Sequence, residues 1–144
     1  MTDSALLDLI ASHQAGVLST IKSDGRPQLS NVNYHFYPDE GSSGLVRISI
    51  TADRAKYHNL RRDPRASLHV STSDFWAYAV AEADAEFSAV AAEPHDDAVE
   101  ELIGLFRDVQ GEHPDWADYR RAMIADRRVV LRLPISRVYG IVHG

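Results

Sequence analysis

Polar and apolar residues alternate in several short stretches of the chain, as in β-strands that bury one face. In Leu45–Thr51 the apolar residues Val46, Ile48 and Ile50 fall on one side, and Ser49 lies on the other. Turn residues separate this stretch from its neighbours. The same reasoning predicts further strands at Gly16–Ile21, Gln28–Tyr37, Ala66–Ser71, Trp76–Phe87 and Arg128–Val142.

Other stretches repeat their apolar residues with the period of an α-helix. Helices are predicted at Ser4–His13, Arg54–Arg62, Asp96–Val109 and Trp116–Ala125. Pro134, inside the last predicted strand, indicates a bulge or a sheet edge. Strands throughout the chain, with two of the helices inserted late, predict a mainly β fold with inserted helices, built as an antiparallel barrel with helical cover.

Length and composition narrow the class of protein. The 144 residues fit one domain that spans residues 1–144. No cysteine is present, which excludes disulfide bonds, a thiolate nucleophile and a cysteine-ligated zinc site. The net charge of −6 argues against non-specific binding of nucleic acid. Because the sequence has neither an apolar membrane span nor a signal peptide, we expect no membrane partner and a cytoplasmic location.

The sequence lacks the motifs of several enzyme classes. The seven histidines show no metal-ligand spacing, so no metal site is expected. No Gly-x-Ser-x-Gly elbow, P-loop or Gly-x-Gly-x-x-Gly motif occurs. No catalytic acid–base pair can therefore be assigned, and any anion site must be built in another way.

The change from strand to helix at Ser49–Lys56 is the best candidate for an anion site. The first N–H groups of a helix have no intrahelical acceptor, and the helix dipole is positive at that end. Arg54 and Lys56 add two cations against this dipole, and a bound phosphate would offset them. The alternative is a solvated basic turn beside Asp53, and this segment alone is compatible with both interpretations.

Two further patterns are compatible with contacts to a planar ligand. Trp76 and Tyr78 lie two residues apart in a predicted strand, so their rings should project from one face. They would either flank a planar ligand or pack in the core or at a subunit interface. Asn31 and Asn33 share a face with Leu29, and amides on a buried face would need partners such as the edge of a heteroaromatic ring.

Several segments together carry a resemblance to a known family. They are Gly16–Ile21, Asp24–Val32, Tyr34–Phe36, Ser49–Ile50, Arg54–Lys56, Asn59–Ser67, Trp76–Glu82, Asp126–Val129 and Leu133–Gly140. The chain resembles the pyridoxamine 5′-phosphate oxidase-like split-barrel family, and within it the actinobacterial branch that uses the deazaflavin coenzyme F420. The likeness covers almost the whole chain and is most specific between Arg54 and Ser67.

The resemblance implies a homodimer of split β-barrels of the FMN-binding type, with two cofactor sites at the subunit interface. Arg54 and Lys56 would bind the cofactor phosphate, and Ser49 and Ile50 would line its ring. The other residues that match cofactor-binding positions of the family are Ala55, Arg26, Gln28, Asn31, Trp76 and Tyr78. The two aromatic residues of this set match a wall that the partner subunit supplies.

The resemblance also implies an F420-dependent oxidoreductase that transfers a hydride between C5 of the deazaflavin and a small unsaturated or heteroaromatic substrate. The protein would supply orientation, electrostatics and exclusion of water. One alternative is an FMN-dependent enzyme of pyridoxamine-phosphate oxidase type, although Ser136–Val138 stands where an Arg-x-His substrate motif would lie. The other is a non-catalytic protein that binds a flavin, a deazaflavin or a haem derivative.

Overall fold

The computed structural model of the protein describes residues 3–143. Its strands are β1 (Ala15–Ile21), β2 (Pro27–Asn33), β3 (His35–Tyr37), β4 (Leu45–Thr51), β5 (Arg65–Ser71), β6 (Tyr78–Asp84), β7 (Glu86–Phe87) and β8 (Arg128–Ile141). Its helices are α1 (Asp3–Ala11), α2 (Ala55–Arg62), α3 (Asp97–Gln110) and α4 (Trp116–Ala125). The predicted domain span also includes residues 1, 2 and 144, which lie outside the described part.

The strands form an antiparallel sheet in the order β2-β1-β5-β6-β8-β4-β3, with β7 beside β8. The long strand β8 pairs with β4 through residues 128–134 and with β6 through residues 135–141. One strand therefore belongs to both halves of the sheet, which curls into a half-barrel around its inner face. The predicted mainly β fold with inserted helices, and the split-barrel architecture, are confirmed.

Buried apolar side chains alternate with more exposed side chains along the strands, as the sequence predicts, and the buried ones form the barrel core. Val46, Ile48 and Ile50 of β4 are buried, whereas Ser49 and Thr51 are only partly buried. Small residues form a second buried row in β6 and immediately before it. This row consists of Ala77, Ala79, Ala81 and Ala83. Small side chains here let α1 pack closely against β6 and β8.

The predicted strand Gln28–Tyr37 is two strands, because the chain changes its pairing at Tyr34. The Tyr34 N–H donates to the carbonyl of Gln14 (2.9 Å), and its buried hydroxyl donates to the carbonyl of Ile10 (2.6 Å). Before this residue β2 pairs with β1, and after it β3 pairs with β4. The buried tyrosine thus fixes the point at which the chain crosses from one half of the sheet to the other.

The prediction that Trp76 lies in a strand beside Tyr78 is wrong. Trp76 lies in a tight loop closed by a hydrogen bond from the Thr72 N–H to the Ala77 carbonyl (3.0 Å). Inside this loop the carboxylate of Asp74 accepts from the Trp76 N–H (3.0 Å). These local bonds replace the ladder that a strand would form, and 74% of Trp76 is exposed.

Pro134 indicates a bulge or a sheet edge in the last strand. Strand β8 does contain a bulge, and it lies two residues after Pro134. The β6–β8 register shifts opposite Glu82, which leaves Ser136 as an extra residue, and the Ser136 hydroxyl donates to the Glu82 carbonyl (3.0 Å). Beyond this bulge the strands approach very closely at Gly140. A Cβ there would lie 2.1 Å from the carbonyl oxygen of Tyr78, so only glycine fits.

Helices α3 and α4 form a layer over the outer face of β4 and β8. An ion-pair network fixes this layer, because Glu101 of α3 accepts from Arg47 Nε (2.9 Å) and Arg132 Nε (2.8 Å). Apolar contacts between α3, α4 and Val130 of β8 complete the attachment. Within residues 3–143, no helix has the length and apolar character needed to cross a membrane.

The Glu101 carboxylate should stabilise the fold in a pH-dependent manner. Burial alone would raise the pKa of Glu101, but hydrogen bonds from Arg132 and Arg47 lower it below its ordinary value of 4.5. The stabilisation is therefore complete above pH 4.5 and is lost as the pH falls through the folded-state pKa.

We expect Glu101→Gln to lower the free energy of unfolding by roughly 1–3 kcal/mol at pH 7, because two half-buried guanidinium groups lose their shared carboxylate. Urea unfolding should show this difference narrowing as the pH falls below 4.5. Glu93→Gln, at an exposed carboxylate with no ion pair among residues 3–143, is the matched control and should change little. A difference that stays constant with pH would contradict the assigned role.

Candidate functional site

A cavity of about 500 Å³ lies between the outer face of β4, the start of β8 and the helical layer. Ser49, Thr51 and Arg128 form its floor, and Asn31 and Asn33 border it from β2. Its roof is mainly apolar and consists of Leu102, Leu105, Phe106 and Val109 of α3 with Tyr119 and Met123 of α4. The cavity therefore has one polar side and one apolar side, as expected for an amphipathic ligand.

One edge of β4 is open at this cavity. Strand β3 pairs only with Leu45–Arg47, whereas β8 pairs along the whole of Leu45–Thr51. Along Ile48–Thr51 the second edge of β4 has no strand beside it in the described sheet. Backbone polar groups on such an edge can bond to a ligand. The side chain of Ile50 packs in the barrel core, so this predicted ring-lining residue can contribute only its backbone.

Three cations converge at one end of the cavity. Arg54, Lys56 and Arg128 line it, and none of its lining residues is Asp or Glu. Within the described chain no carboxylate lies within 4.0 Å of these three groups. Burial and the charges of Arg54 and Arg128 lower the pKa of the Lys56 ammonium, because no nearby anion compensates them. An anionic ligand is the group that this end of the cavity lacks.

The start of α2 adds backbone donors to the same end. Arg54 precedes the helix in an extended conformation and makes no side-chain capping hydrogen bond. The N–H groups of Ala55 and Lys56 lie in the first turn, where a helix has no acceptors of its own. The helix dipole and three side-chain charges therefore act at the same end of the cavity, and anion binding at this strand-to-helix turn stays a prediction.

Sequence reasoning missed Arg128, because nothing in the local sequence separates it from its neighbours. The β4–β8 register places Arg128 opposite Thr51, on the face that lines the cavity. Its Nη1 donates weakly to the carbonyl oxygen (3.4 Å) and hydroxyl (3.5 Å) of Ser49. Only the sheet register brings this side chain to the strand that precedes α2, and a single sequence does not reveal that register.

Besides Ala55, which lies between the two cations without lining the cavity, four of the predicted site residues lie outside it. Arg26 is exposed in the β1–β2 turn, and the Gln28 side chain accepts from the Asn59 amide (3.1 Å). Tyr78 stacks on His69 with ring centroids 5.4 Å apart. Trp76 projects from its loop. Within one chain the cavity thus brings together only Arg54, Lys56, Ser49, Ile50 and Asn31, with Ala55 between the two cations.

The asparagine row of β2 is not buried, contrary to the sequence-based expectation. Asn31, Asn33 and Leu29 are all exposed, because the inner row of β2 is the one that contains Val32. Asn31 and Asn33 also line a second recess of about 370 Å³, together with residues 15–17 of β1. These two amides therefore connect the main cavity to the outer face of the sheet.

The cavity residues can bind and orient a ligand but offer little acid–base chemistry. The Tyr119 hydroxyl donates to the Leu102 carbonyl (3.1 Å), and burial raises the pKa of Tyr119 to about 12, with Arg128 acting in the opposite direction. Among residues 3–143, no three His, Asp or Glu side chains are placed to hold a metal ion.

Solved structures share this fold. A conserved hypothetical protein from Mycobacterium tuberculosis matches with a TM-score of 0.71 and 23% identity, over 100% of this chain and 91% of that one. An F420 reductase matches with a TM-score of 0.67 and 21% identity, over 92% and 94% of the two chains. General stress protein 26 from Bacillus anthracis matches with a TM-score of 0.60 and 14% identity, over 96% and 92%.

The sequence itself matches a family model over nearly its full length. That model is described as pyridoxamine 5′-phosphate oxidase, and the match spans residues 2–141. The match includes β4, the start of α2 and β8, which together supply the cationic end of the cavity. The chain belongs to the pyridoxamine 5′-phosphate oxidase family of split-barrel oxidoreductases.

Proposed function

We propose that the protein is an F420-dependent oxidoreductase that acts on a small unsaturated or heteroaromatic substrate. The observation that carries this proposal is a cavity with three cations and no lining carboxylate at one end and an apolar roof along its length. A ligand with an anionic tail and a flat ring system matches both parts. The structural similarity to an F420 reductase supports the deazaflavin over other ring systems.

The residues present fit such a cofactor. Arg54 and Lys56 would hold its phosphate, and the open edge of β4 at Ser49 would face its ring. Amide groups such as Asn31 suit a ring edge rich in nitrogen and oxygen, because they both donate and accept hydrogen bonds. The apolar roof would exclude water from the ring, which strengthens the electrostatic interactions below it.

When bound, the deazaflavin supplies a hydride from C5, and a proton completes reduction of the substrate. The protein residues contribute binding, orientation and exclusion of water. The cavity contains no Asp, Glu or His, so no residue of the chain is named as the proton donor, and the proton would come from solvent or from the surroundings of the substrate. FMN, which carries a phosphate on a similar ring system, would fit the same cations, so an FMN-dependent enzyme is the second candidate.

The outer face of the sheet supports a homodimer with shared sites. Leu29, Tyr139 and Ile141 are exposed on this face, and the loop at Phe75 and Trp76 projects beside it. A second copy on this face would cover the apolar side chains. It would also lie next to the recess at Asn31 and Asn33, which borders the cavity.

In such a dimer, the predicted site residues that lie outside the cavity would act across the interface. Trp76 and Tyr78 would reach the cofactor of the other subunit as part of its wall. Arg26 and Gln28 would lie near the ring or its tail. A role for each of these four residues therefore depends on dimer formation.

The cofactor assignment is tested by titrating the pure protein into F420 and into FMN and following the fluorescence anisotropy of each. We expect binding of F420 at micromolar protein, followed by turnover of reduced F420 with a panel of enones, quinones and heteroaromatic acceptors. Binding of FMN alone would favour the FMN-dependent enzyme. Tight binding without turnover on any acceptor would favour a non-catalytic binding protein.

Arg54→Ala and Lys56→Ala should each weaken cofactor binding by about 1–3 kcal/mol, because each removes a charge-assisted contact to phosphate. Arg61→Ala is the matched control, since it removes the same charge from an exposed position of α2 that does not line the cavity. Thermal unfolding should change little in all three. An unchanged affinity in the Arg54/Lys56 double variant would refute the phosphate site.

The protein should sediment at twice the 16.0 kDa mass of the chain. Leu29→Glu and Tyr139→Glu should each shift it toward the monomer, because each places a charge in the proposed apolar interface. Ser42→Glu, in the exposed β3–β4 loop, should leave the dimer intact. Sedimentation of the wild-type protein as a monomer at all concentrations would contradict the shared-site arrangement.

A further inference from the structure

Arg128 has a polar edge inside the cavity that no residue satisfies. Its Nε atom is fully buried and has no hydrogen-bond partner among residues 3–143. Its Nη1 makes two long contacts, to the carbonyl oxygen (3.4 Å) and the hydroxyl (3.5 Å) of Ser49. No hydrogen bond from Nη2 to a described residue occurs. The Nε and Nη2 groups form one straight edge of the guanidinium, and this edge has no acceptor among residues 3–143.

Two other arginines show what this edge does when an oxyanion is present. Arg65 donates to the Asp63 carboxylate through Nε (3.0 Å) and Nη2 (2.7 Å). Arg132 grips Glu101 in the same way through Nε (2.8 Å) and Nη2. Two parallel N–H donors match the two oxygens of a carboxylate or phosphate group. Arg128 offers the same pair of donors without such a group.

A buried charged donor without an acceptor destabilises a folded protein. No carboxylate can satisfy Arg128, since no Asp or Glu lines the cavity. The cations Arg54 and Lys56 lie at the same end of the cavity, so the local field also opposes a third positive charge there. A ligand oxyanion would relieve both effects at once.

We propose that Arg128 binds an oxyanion of the cavity ligand through its Nε and Nη2 groups, as a third anion-binding residue beside Arg54 and Lys56. This inference rests on the proposed function, in that the ligand carries a phosphoryl group. The site then selects ligands with a phosphate over the same ring system without one. Because Nη1 also contacts Ser49, Arg128 lies between the phosphate end of the cavity and the open edge of β4.

The test compares Arg128→Lys and Arg128→Gln with the wild-type protein. Lysine keeps the charge but loses the two-donor edge, and glutamine loses both. Arg127→Lys and Arg127→Gln are matched controls at the exposed neighbouring residue, which does not line the cavity. Affinities for F420, FMN and riboflavin are measured by fluorescence, and stabilisation by inorganic pyrophosphate is measured by thermal shift.

We expect Arg128→Lys to lose about tenfold and Arg128→Gln about a hundredfold in affinity for the phosphorylated ligands, in line with loss of a charge-assisted bidentate contact. Binding of riboflavin, which has no phosphate, should be the same in all variants. The thermal shift with pyrophosphate should shrink in the Arg128 variants and persist in the Arg127 variants. If Arg128→Gln does not fold, Arg128→Lys decides the test.

Unchanged affinity for phosphorylated ligands in Arg128→Lys would overturn the inference even if F420 turnover is found. Equal losses for riboflavin would also overturn it, because they would show a structural role only. Conversely, Arg128-dependent binding of FMN without any binding of F420 would reject the coenzyme assignment and support the inference. Absence of any response of the wild-type protein to all four compounds would reject both.

Discussion

The pairing of β8 with two different strands is the constraint on which this structure depends. Its first half forms the ladder with β4, and its second half forms the ladder with β6. The bulge at Ser136 lets one continuous strand change direction between them. If this strand paired with only one neighbour, the halves of the sheet would separate, and without the β4 ladder Arg128 would not meet the strand that leads into α2.

Charge is distributed unevenly between the whole protein and its cavity. The chain carries a net charge of −6, yet three cations and no carboxylate line the cavity. Several carboxylates elsewhere have guanidinium partners, as Glu101 has in Arg47 and Arg132. The acidic surroundings allow a local positive potential without making the protein a general polyanion binder. Such a potential favours small anionic ligands that fit inside the cavity.

Much of the fold follows from local pattern. The bounds of β4 and α4 match the prediction at both ends, because alternation and helical period are strong there and clear turn or cap residues flank both elements. The cationic turn at Arg54 and Lys56 was also predictable, since sequence neighbours build it, and its binding of phosphate stays a prediction. Trp76 was misplaced because loop hydrogen bonds from Thr72 and Asp74 outweigh the strand preference of an aromatic residue.

The rest of the site depends on tertiary register. Arg128 reaches Ser49 only through the β4–β8 ladder, and the roof residues of α3 and α4 reach the cavity only through packing on the sheet. Nothing in the local sequence distinguishes these apolar residues from ordinary core. The exposed face of Asn31 was misjudged for the same reason, since the sequence shows alternation but not which side is inside.

The chain supplies the roof of the cavity as one continuous insertion between β7 and β8, whereas the strands and α2 supply the floor and the anion site. The two parts meet mainly at Glu101 and a small apolar cluster. Changes in the length or side chains of α3 and α4 can therefore reshape the roof of the cavity while its cationic end and the barrel stay intact. A scaffold divided in this way can vary one side of its cavity without rebuilding the other.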